Sequence, residues 1–410
     1  MVKQLIRRLL APADPWLFLL CLICTLLGLF AIFDAGYARS ILKDRSLLPR
    51  EFNMQLIYTI AAMILGALAA LIPIRIWSRY SKWIFGVSLA LVLLVMVPGL
   101  NQTMSGATRW VRVGPIQIQP SEFAKGAVIL FLAGAFALRQ PWPKRVKVKN
   151  RFDWLDRVGM PKLVRAIPLL LVGVLALKVE REPDLGTAAV ILAITGAMLW
   201  LGGVSRKSLV TLGAIGFVGL IGVATLEPYR LERITNHPAR WTAEHMDDVG
   251  YQTVQSEIAM ADGGLKGVGV GNGRAKHMLP AATTDFVTAT IAEETGLVGS
   301  LAVLGLLGAI VARLFVLAKQ ANSEFSRLYL LGVASWIAIQ TCVNVLMANG
   351  TLPPIGIPLP FFSSGGSSLL ALWLAMGVAQ SAVAEQPQED LVGETHRNRW
   401  RNRRPRISRA

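Results

Sequence analysis

The stretch GGLKGVGVGNGRAKHMLPAATTDFVTATIAEE, residues 263–294, joins a glycine-rich segment to an apolar segment that carries three carboxylates. Glycine is favoured where the backbone needs a positive φ or where another group approaches it closely. Asp285, Glu293 and Glu294 lie at the start of a hydrophobic run, where an ionisable side chain is costly and therefore indicates a function. We expect this stretch to hold the chemistry and the rest of the chain to form its frame.

The composition indicates a membrane protein. The chain has 410 residues, of which 53% are hydrophobic and 16% are charged, and its apolar runs are close to 20 residues long. The net charge of +17 could by itself indicate nucleic-acid binding. The Lys and Arg residues, however, lie between the hydrophobic runs and in one tail, as the topology rule for membrane proteins predicts. We therefore expect no nucleic-acid partner.

The apolar runs predict an all-α polytopic membrane protein with about ten transmembrane helices. The predicted organisation is a cytoplasmic N-terminal segment 1–15, a ten-helix membrane domain 16–384 and a basic cytoplasmic tail 385–410, which we expect to be disordered near anionic lipid headgroups. The predicted spans are 16–35, 55–74, 83–100, 118–138, 165–178, 186–203, 207–226, 286–317, 328–348 and 366–384.

The distribution of positive charge predicts the orientation. Lys and Arg are about twice as frequent on the side that holds both termini as on the other side, which places both termini in the cytoplasm. The opposite, extracytoplasmic side then holds the large loop 227–285. Aromatic and apolar side chains within this loop predict that it folds, and the spacing over 251–261 predicts a short helix.

Other polar residues interrupt the hydrophobic pattern at the predicted membrane surface. Arg109 lies next to Trp110, which is a natural interfacial anchor. Glu122 and Lys125 are three residues apart at the start of the fourth span, so they can pair on one helix face and serve an anionic headgroup, although Glu122 also suits a plain helix start. Asp184 precedes the sixth span and suits either an N-cap or a functional carboxylate.

The last external segment, residues 350–368, contains four prolines and no charged residue, which predicts a stiff, re-entrant loop. Ser363 and Ser367 could bind a phosphate at a helix N-terminus, or they could simply begin and pack the helix. The glycine pattern at 267–271 lacks the context of a P-loop or a dinucleotide fold, and the four histidines lack metal-ligand spacing. The sequence therefore identifies no metal site.

The motifs taken together resemble the SEDS family (shape, elongation, division and sporulation), whose members include FtsW, RodA and SpoVE. The matching segments follow the family order and cover nearly the whole chain: GATRW (106–110), QPSEFAK (119–125), EPDLGTA (182–188), QSEIAMADGGLKGVGVGNG (255–273), TDF (284–286), AEETGLVG (292–299) and PPIGIPLPFFSSGGSSL (353–369).

The resemblance implies a peptidoglycan glycosyltransferase in the bacterial cytoplasmic membrane, with its active site on the extracytoplasmic side. Such an enzyme polymerises lipid II into glycan strands for cell division or cell elongation. It works with a class B penicillin-binding protein transpeptidase and with other divisome or elongasome membrane proteins. The spacing of Arg274 and Lys276 before Leu279 is slightly more typical of FtsW than of RodA.

The resemblance also suggests roles for single residues. The family's essential aspartate falls on Asp285, which we expect to be the general base. Arg109 and Lys125, with a divalent cation such as Mg²⁺ or Mn²⁺, would stabilise the pyrophosphate, and Glu122 would orient Lys125. Further substrate-binding residues are expected to be Asp184, Glu293, Ser363 and Ser367. The chain departs from the family pattern at Thr284, where histidine is usual, at Met54, and in IFDAG (32–36).

Two other functions fit the same polar groups. A lipid II flippase would also need buried charges and a central cavity, together with inverted repeats or broken helices, which are not clear in the sequence. A non-catalytic scaffold that recruits a transpeptidase would leave the carboxylates without a purpose. A flippase predicts that lipid II crosses the bilayer without forming polymer. A scaffold predicts that Asp285→Asn is harmless while substitutions at the partner interface are not.

Overall fold

The computed structural model describes residues 13–39, 48–95, 101–104, 107–113, 116–137, 160–181, 184–225, 228–248 and 250–384. The basic tail predicted for 385–410 lies outside the described residues, as does most of the predicted N-terminal segment 1–15. The predictions for these segments, and the orientation of the chain in the membrane, therefore remain predictions.

The described part of the chain is mainly helical. Its α-helices are α1 Pro15–Arg39, α2 Arg50–Leu71, α3 Ile74–Leu94, α4 Pro120–Ala137, α5 Met160–Arg181, α6 Leu185–Leu201, α7 Arg206–Thr225, α8 Pro228–Asn236, α9 Tyr251–Gly263, α10 Ala275–Met278, α11 Val287–Lys319, α12 Glu324–Ala348 and α13 Gly366–Val383. Each of the ten predicted spans overlaps one of these helices.

Six of the described helices are long and apolar enough to cross a membrane, namely α1, α2, α4, α11, α12 and α13. Helix α6 is apolar but has only 17 residues. A polytopic membrane fold is therefore confirmed, while the count of ten spans remains a prediction. Helices α4 and α13 are the most enclosed, with 72% and 83% of their apolar windows buried, so polar side chains on α4 face protein rather than lipid.

A small antiparallel sheet precedes α4, and the all-α prediction did not include it. Its strands are β1 Asn101–Met104, β2 Ala107–Val113 and β3 Ile116–Ile118, in the order β1-β2-β3. Val111 pairs with Asn101 on one side and with Ile118 on the other. Apolar and polar residues alternate along residues 111–113 of β2 and along β3, which is the pattern of a strand, whereas the charges next to Trp110 suggested only a membrane anchor.

The large loop predicted for 227–285 is folded over its described residues. Helix α9 confirms the helix that the spacing over 251–261 predicted. The Arg240 guanidinium lies 2.6 Å from the Glu257 carboxylate on α9, and the Trp241 indole N–H donates to the same carboxylate at 2.7 Å. The Ser256 hydroxyl donates to the carbonyl of Ala348 at 2.6 Å, so α9 is fixed to the C-terminal end of α12.

Candidate active site

Asp285 directly precedes α11 and is held by a buried polar residue of α12. The Asn344 side-chain amide donates to the Asp285 carbonyl at 2.8 Å and to the Ile357 carbonyl at 2.7 Å. The Thr288 hydroxyl donates to the oxygen of the same amide. Asn344 is fully buried, so it links the start of α11 to the proline-rich segment before α13. A polar amide in the last two turns of an apolar helix is the sequence signal that could have identified it.

Four charged side chains act electrostatically on the Asp285 carboxyl group, which is itself partly exposed. Enclosure by the protein raises the pKa of Asp285 to about 6, and the charges of Asp184 and Glu122 also raise it, whereas Arg109 and Arg233 lower it. A carboxylate with this pKa is ionised at neutral pH and still accepts a proton readily, which suits a general base.

Arg233 is a member of this group that the sequence reasoning missed. It lies on α8, in the large external loop, and its guanidinium donates to the Pro354 carbonyl at 2.9 Å. This contact joins the external loop to the proline-rich segment. The only sequence signal is a positive charge on an amphipathic segment, which by itself indicates a solvated helix face.

Asp184 caps α6, as the sequence suggested, and it also contacts three other polar side chains. Its role as a functional carboxylate remains a prediction. One carboxylate oxygen accepts from the Thr187 N–H at 3.1 Å and lies 3.7 Å from the Arg109 guanidinium. The other oxygen accepts from the Gln119 amide at 2.8 Å and from the Ser121 hydroxyl at 3.2 Å. The side chain is buried, and these contacts connect β2, the start of α4 and α6 around one carboxylate.

Glu122 and Lys125 form the predicted pair on one face of α4. The Lys125 ammonium donates to the Glu122 carboxylate at 2.8 Å and to the Gln340 side-chain oxygen at 3.0 Å, and it lies 5.3 Å from the centre of the Trp336 ring. Lys125 is 1% exposed, so its charge is held within the protein by these partners. Direct contact of Lys125 with a substrate phosphate remains a prediction.

Ser363 and Ser367 both bind backbone groups. The Ser363 hydroxyl accepts from the Leu359 N–H at 2.7 Å and donates to the Thr284 carbonyl at 2.5 Å. The Ser367 hydroxyl accepts from the Gln119 N–H at 2.9 Å. Ser363 thus fixes the residue before Asp285, and Ser367 fixes the junction between the sheet and α4. Substrate binding by these serines remains a prediction.

Glu293 lies in a second polar cluster, beside the glycine-rich segment. It is not among the charged groups that shift the pKa of Asp285. Its carboxylate accepts from the N–H groups of Arg274 at 2.8 Å and Ala275 at 2.9 Å, at the start of α10. The neighbouring Glu294 carboxylate accepts from the Lys276 ammonium at 2.8 Å. The sequence reasoning grouped Glu293 with Asp285 because both lie near the start of the same helix.

The glycine-rich segment fills a break in α11. The helix is interrupted at Gly296, which has a φ of 66° and a ψ of −166°. The break leaves the carbonyls of Glu293 and Glu294 without helical partners, and they accept the N–H groups of Val268 and Gly269 at 2.9 and 3.1 Å. Beyond the break, the N–H groups of residues 297 and 298 donate to the carbonyls of residues 264 and 265 at 2.9 and 3.2 Å. The glycines therefore serve close backbone packing, and the expected chemistry lies at Asp285, which follows them.

A divalent cation would have to share its ligands with a substrate. The described residues contain no group of three or more His, Cys, Asp and Glu side chains that could hold a metal ion. Mg²⁺ commonly binds through one or two carboxylates together with substrate phosphates. Asp285 and Asp184, which interact electrostatically, are the carboxylates that fit such an arrangement.

An apolar cavity of about 510 Å³ lies between α5, α6 and α7. Its lining includes Leu192, Leu199 and Phe217, and Thr195 contributes a hydroxyl group to it. Asp184 caps the same helix α6 that forms one wall. An apolar space beside a helix that begins in the polar group suits a ligand with a hydrocarbon tail and a charged head.

A family model for cell cycle proteins of the FtsW, RodA and SpoVE type matches residues 15–388. The probable peptidoglycan glycosyltransferase FtsW of Coxiella burnetii is 36% identical over 371 residues, which cover 89% of this chain and 94% of that protein. The protein of the same name from Allochromatium vinosum is 36% identical over 321 residues, 77% of this chain and 76% of the relative.

Solved structures show the same fold. A chain of a peptidoglycan synthase complex that coordinates polymerization and crosslinking superposes with a TM-score of 0.70 and 28% identity, over 92% of this chain and 99% of that one. The rod shape determining protein RodA of Thermus thermophilus gives a TM-score of 0.63 and 27% identity, over 92% and 98%. The chain therefore belongs to the FtsW, RodA and SpoVE family of polytopic membrane proteins, as its motifs predicted.

Proposed function

We propose that this protein is a peptidoglycan glycosyltransferase that polymerises lipid II into glycan strands. The observation that carries the proposal is the Asp285 carboxyl group, whose backbone is held by Asn344 and whose pKa of about 6 reflects enclosure and the charges of Arg109, Arg233, Asp184 and Glu122. Relatives at 36% identity named probable peptidoglycan glycosyltransferase support the same reaction class.

The reaction needs a base for the acceptor and positive charge for the leaving group. Asp285 takes the proton from the acceptor's sugar hydroxyl while that oxygen forms a bond to the anomeric carbon of the donor. The bond from this carbon to the pyrophosphate oxygen breaks, and polyprenyl pyrophosphate leaves with the electron pair. Arg109 and Arg233 oppose the negative charge that develops on it. Attack opposite to the leaving group inverts the anomeric centre.

The surrounding structure suits a lipid-linked substrate. The apolar cavity beside α6 has room for part of a polyprenyl chain, while Asp184 at the start of that helix belongs to the polar group. The proposed site faces the extracytoplasmic side of the bacterial cytoplasmic membrane. The large folded loop carries Arg233 and ends at Asp285, and the distribution of Lys and Arg predicts that this loop lies on that side. The product would then form on the side of the membrane where a peptidoglycan transpeptidase works.

The proposed partner is a class B penicillin-binding protein transpeptidase, within the divisome or the elongasome. It is supported by the structural similarity to a chain of a peptidoglycan synthase complex that couples polymerization to crosslinking. Relatives named FtsW favour division over elongation.

The test is glycan-strand formation from purified lipid II, with and without a cognate class B transpeptidase. We expect Asp285→Asn to lower the rate by about 10² to 10⁴ because the general base is lost. Asp262→Asn, the same change at an exposed position on α9, is the matched control and should polymerise like wild type. Parallel reactions with Mg²⁺, with Mn²⁺ and with a chelator test the proposed divalent cation.

Other outcomes would favour the alternatives. Transfer of lipid II across liposome bilayers without any polymer would indicate a flippase. Normal cell-wall assembly with the Asp285→Asn protein would indicate a scaffold. If Asp285→Asn kept more than about a tenth of the wild-type polymerisation rate, Asp285 would not be the general base.

A further inference from the structure

A buried ion cluster joins the first helix to the segment that leads to Asp285. The Lys276 ammonium on α10 lies 2.7 Å from a carboxylate oxygen of Asp34 on α1 and 2.8 Å from one of Glu294 on α11. Lys276 is 3% exposed, so its charge depends on these two partners rather than on water. We call Asp34, Lys276 and Glu294 the ion triad.

The ion triad is continuous with the packing of the glycine-rich segment. The Glu294 carboxylate oxygen that binds Lys276 also accepts from the Gly273 N–H at 3.3 Å. A Cβ atom at Gly273 would lie 2.8 Å from a carboxylate oxygen of Glu293 and 2.8 Å from the Glu294 side chain, so no side chain fits there. The charge of Lys276 therefore holds the side chain of Glu294, the residue whose carbonyl accepts the Gly269 N–H at the break in α11.

The same segment fixes Asp285 at its far end. Between Lys276 and Asp285 the chain packs into a small apolar cluster formed by Ala259, Ala275, Leu279, Ala282, Phe286 and Ala289. The Asn344 amide then binds the Asp285 carbonyl. Residues 276–285 are thus anchored by an ion cluster at one end and by an α12 amide at the other, with apolar packing between the two anchors.

We propose that the ion triad positions Asp285 for the reaction, and that Lys276 is a positioning residue which acts through Asp34 and Glu294. This inference rests on the proposed function. Lys276 holds the glycine-rich segment in the break of α11, and this sets where the segment 276–285 places the carboxylate. A displacement of about 1 Å of a reacting group can cost about 10²-fold in rate, so loss of one buried charge is expected to act on turnover.

The experiment compares four variants of the full-length protein together with its transpeptidase, using lipid II as substrate. We expect Lys276→Met to lower kcat by about tenfold to a hundredfold with KM changed by less than about twofold, because the triad acts on the base and not on the bound lipid. Lys276→Arg keeps the charge and should retain most of kcat. Asp34→Asn leaves the bond to Glu294 and should give a smaller loss. Lys266→Met, at an exposed position in the glycine-rich segment, is the matched control.

Amide hydrogen exchange gives a second readout that does not depend on turnover. The N–H groups of Val268, Gly269, Arg274 and Ala275 should exchange faster in Lys276→Met than in the control variant, since their acceptors lie on Glu293 and Glu294. If Lys276→Met fails to fold, Asp34→Asn alone provides the test.

The outcomes separate this inference from the proposed function. If Asp285→Asn abolishes polymer formation while Lys276→Met or Asp34→Asn keeps wild-type kcat and exchange, the positioning role is wrong and the glycosyltransferase assignment stands. If the wild-type protein forms no polymer, the glycosyltransferase assignment is wrong. A larger KM with unchanged kcat in Lys276→Met would overturn the positioning role and would place Lys276 in substrate binding.

Discussion

The fit of the glycine-rich segment into α11 makes a quantitative prediction for Gly267→Ala. Gly267 has a φ of 79°, and a Cβ atom there would lie 2.1 Å from the carbonyl oxygen of Glu294. The left-handed conformation costs an alanine about 1–2 kcal/mol. The overlap with the carbonyl cannot be relieved by a side-chain rotation, because both contacting groups are fixed to the backbone. The segment must therefore move out of the break.

Moving the segment removes two hydrogen bonds to the buried carbonyls of α11. These are the bonds from Val268 to Glu293, 2.9 Å, and from Gly269 to Glu294, 3.1 Å. Each buried group left without a partner costs about 1–3 kcal/mol. Together with the backbone strain, we expect Gly267→Ala to lower the free energy of unfolding by about 3–8 kcal/mol.

The assay is unfolding of the purified full-length protein in one detergent, followed by tryptophan fluorescence. Gly305→Ala is the matched control, because Gly305 lies within α11 and a Cβ atom there would meet no other atom within 4 Å. This control should be stabilised by up to about 1 kcal/mol, since alanine has the higher helix propensity. If Gly267→Ala unfolded at the wild-type midpoint or above it while Gly305→Ala behaved as expected, the packing of the glycine-rich segment into the helix break would be wrong.

Two further predictions concern the polar group around Asp285. Enclosure raises the pKa of Asp285 to about 6, and the base acts in its ionised form. The value of kcat/KM should therefore be constant above this pH and fall about tenfold per pH unit below it. A flat pH–rate profile down to about pH 5 would contradict the assignment of Asp285 as the base. Lys125→Met should lower the free energy of unfolding by about 3–5 kcal/mol, because it leaves Glu122 buried without its partner. The double variant that also carries Glu122→Gln should recover part of this loss. Equal stability of the single and double variants in denaturant unfolding would refute the second prediction.

The proposed chemistry divides the polar residues into two tasks. Asp285, Arg109, Arg233 and Asp184 form the group that would contact the reacting atoms. Glu293, Ser363 and Ser367 bind backbone groups and hold the segments on which that group is built. A structure of this kind keeps the reacting carboxylate in place through contacts from several separate helices, which is what a base in a membrane enzyme needs.

Local features of the fold could be predicted from the sequence. The length and composition of the apolar runs indicate a polytopic membrane protein, because a helix must be about 20 residues long to cross the bilayer. The pair of Glu122 and Lys125, the cap of α6 by Asp184 and the short helix α9 follow from residues within one helical turn of each other. The family motifs added the position of Asp285.

The contacts between distant parts of the chain depended on the tertiary structure. Asn344 reaches Asp285 across 59 residues, and Asp34 reaches Lys276 across 242. Such partners leave no periodic pattern in the sequence, since their spacing is set by how helices pack and not by the geometry of any one helix. The glycines showed that something approaches the backbone closely, and only the packed structure identified it as the broken helix α11.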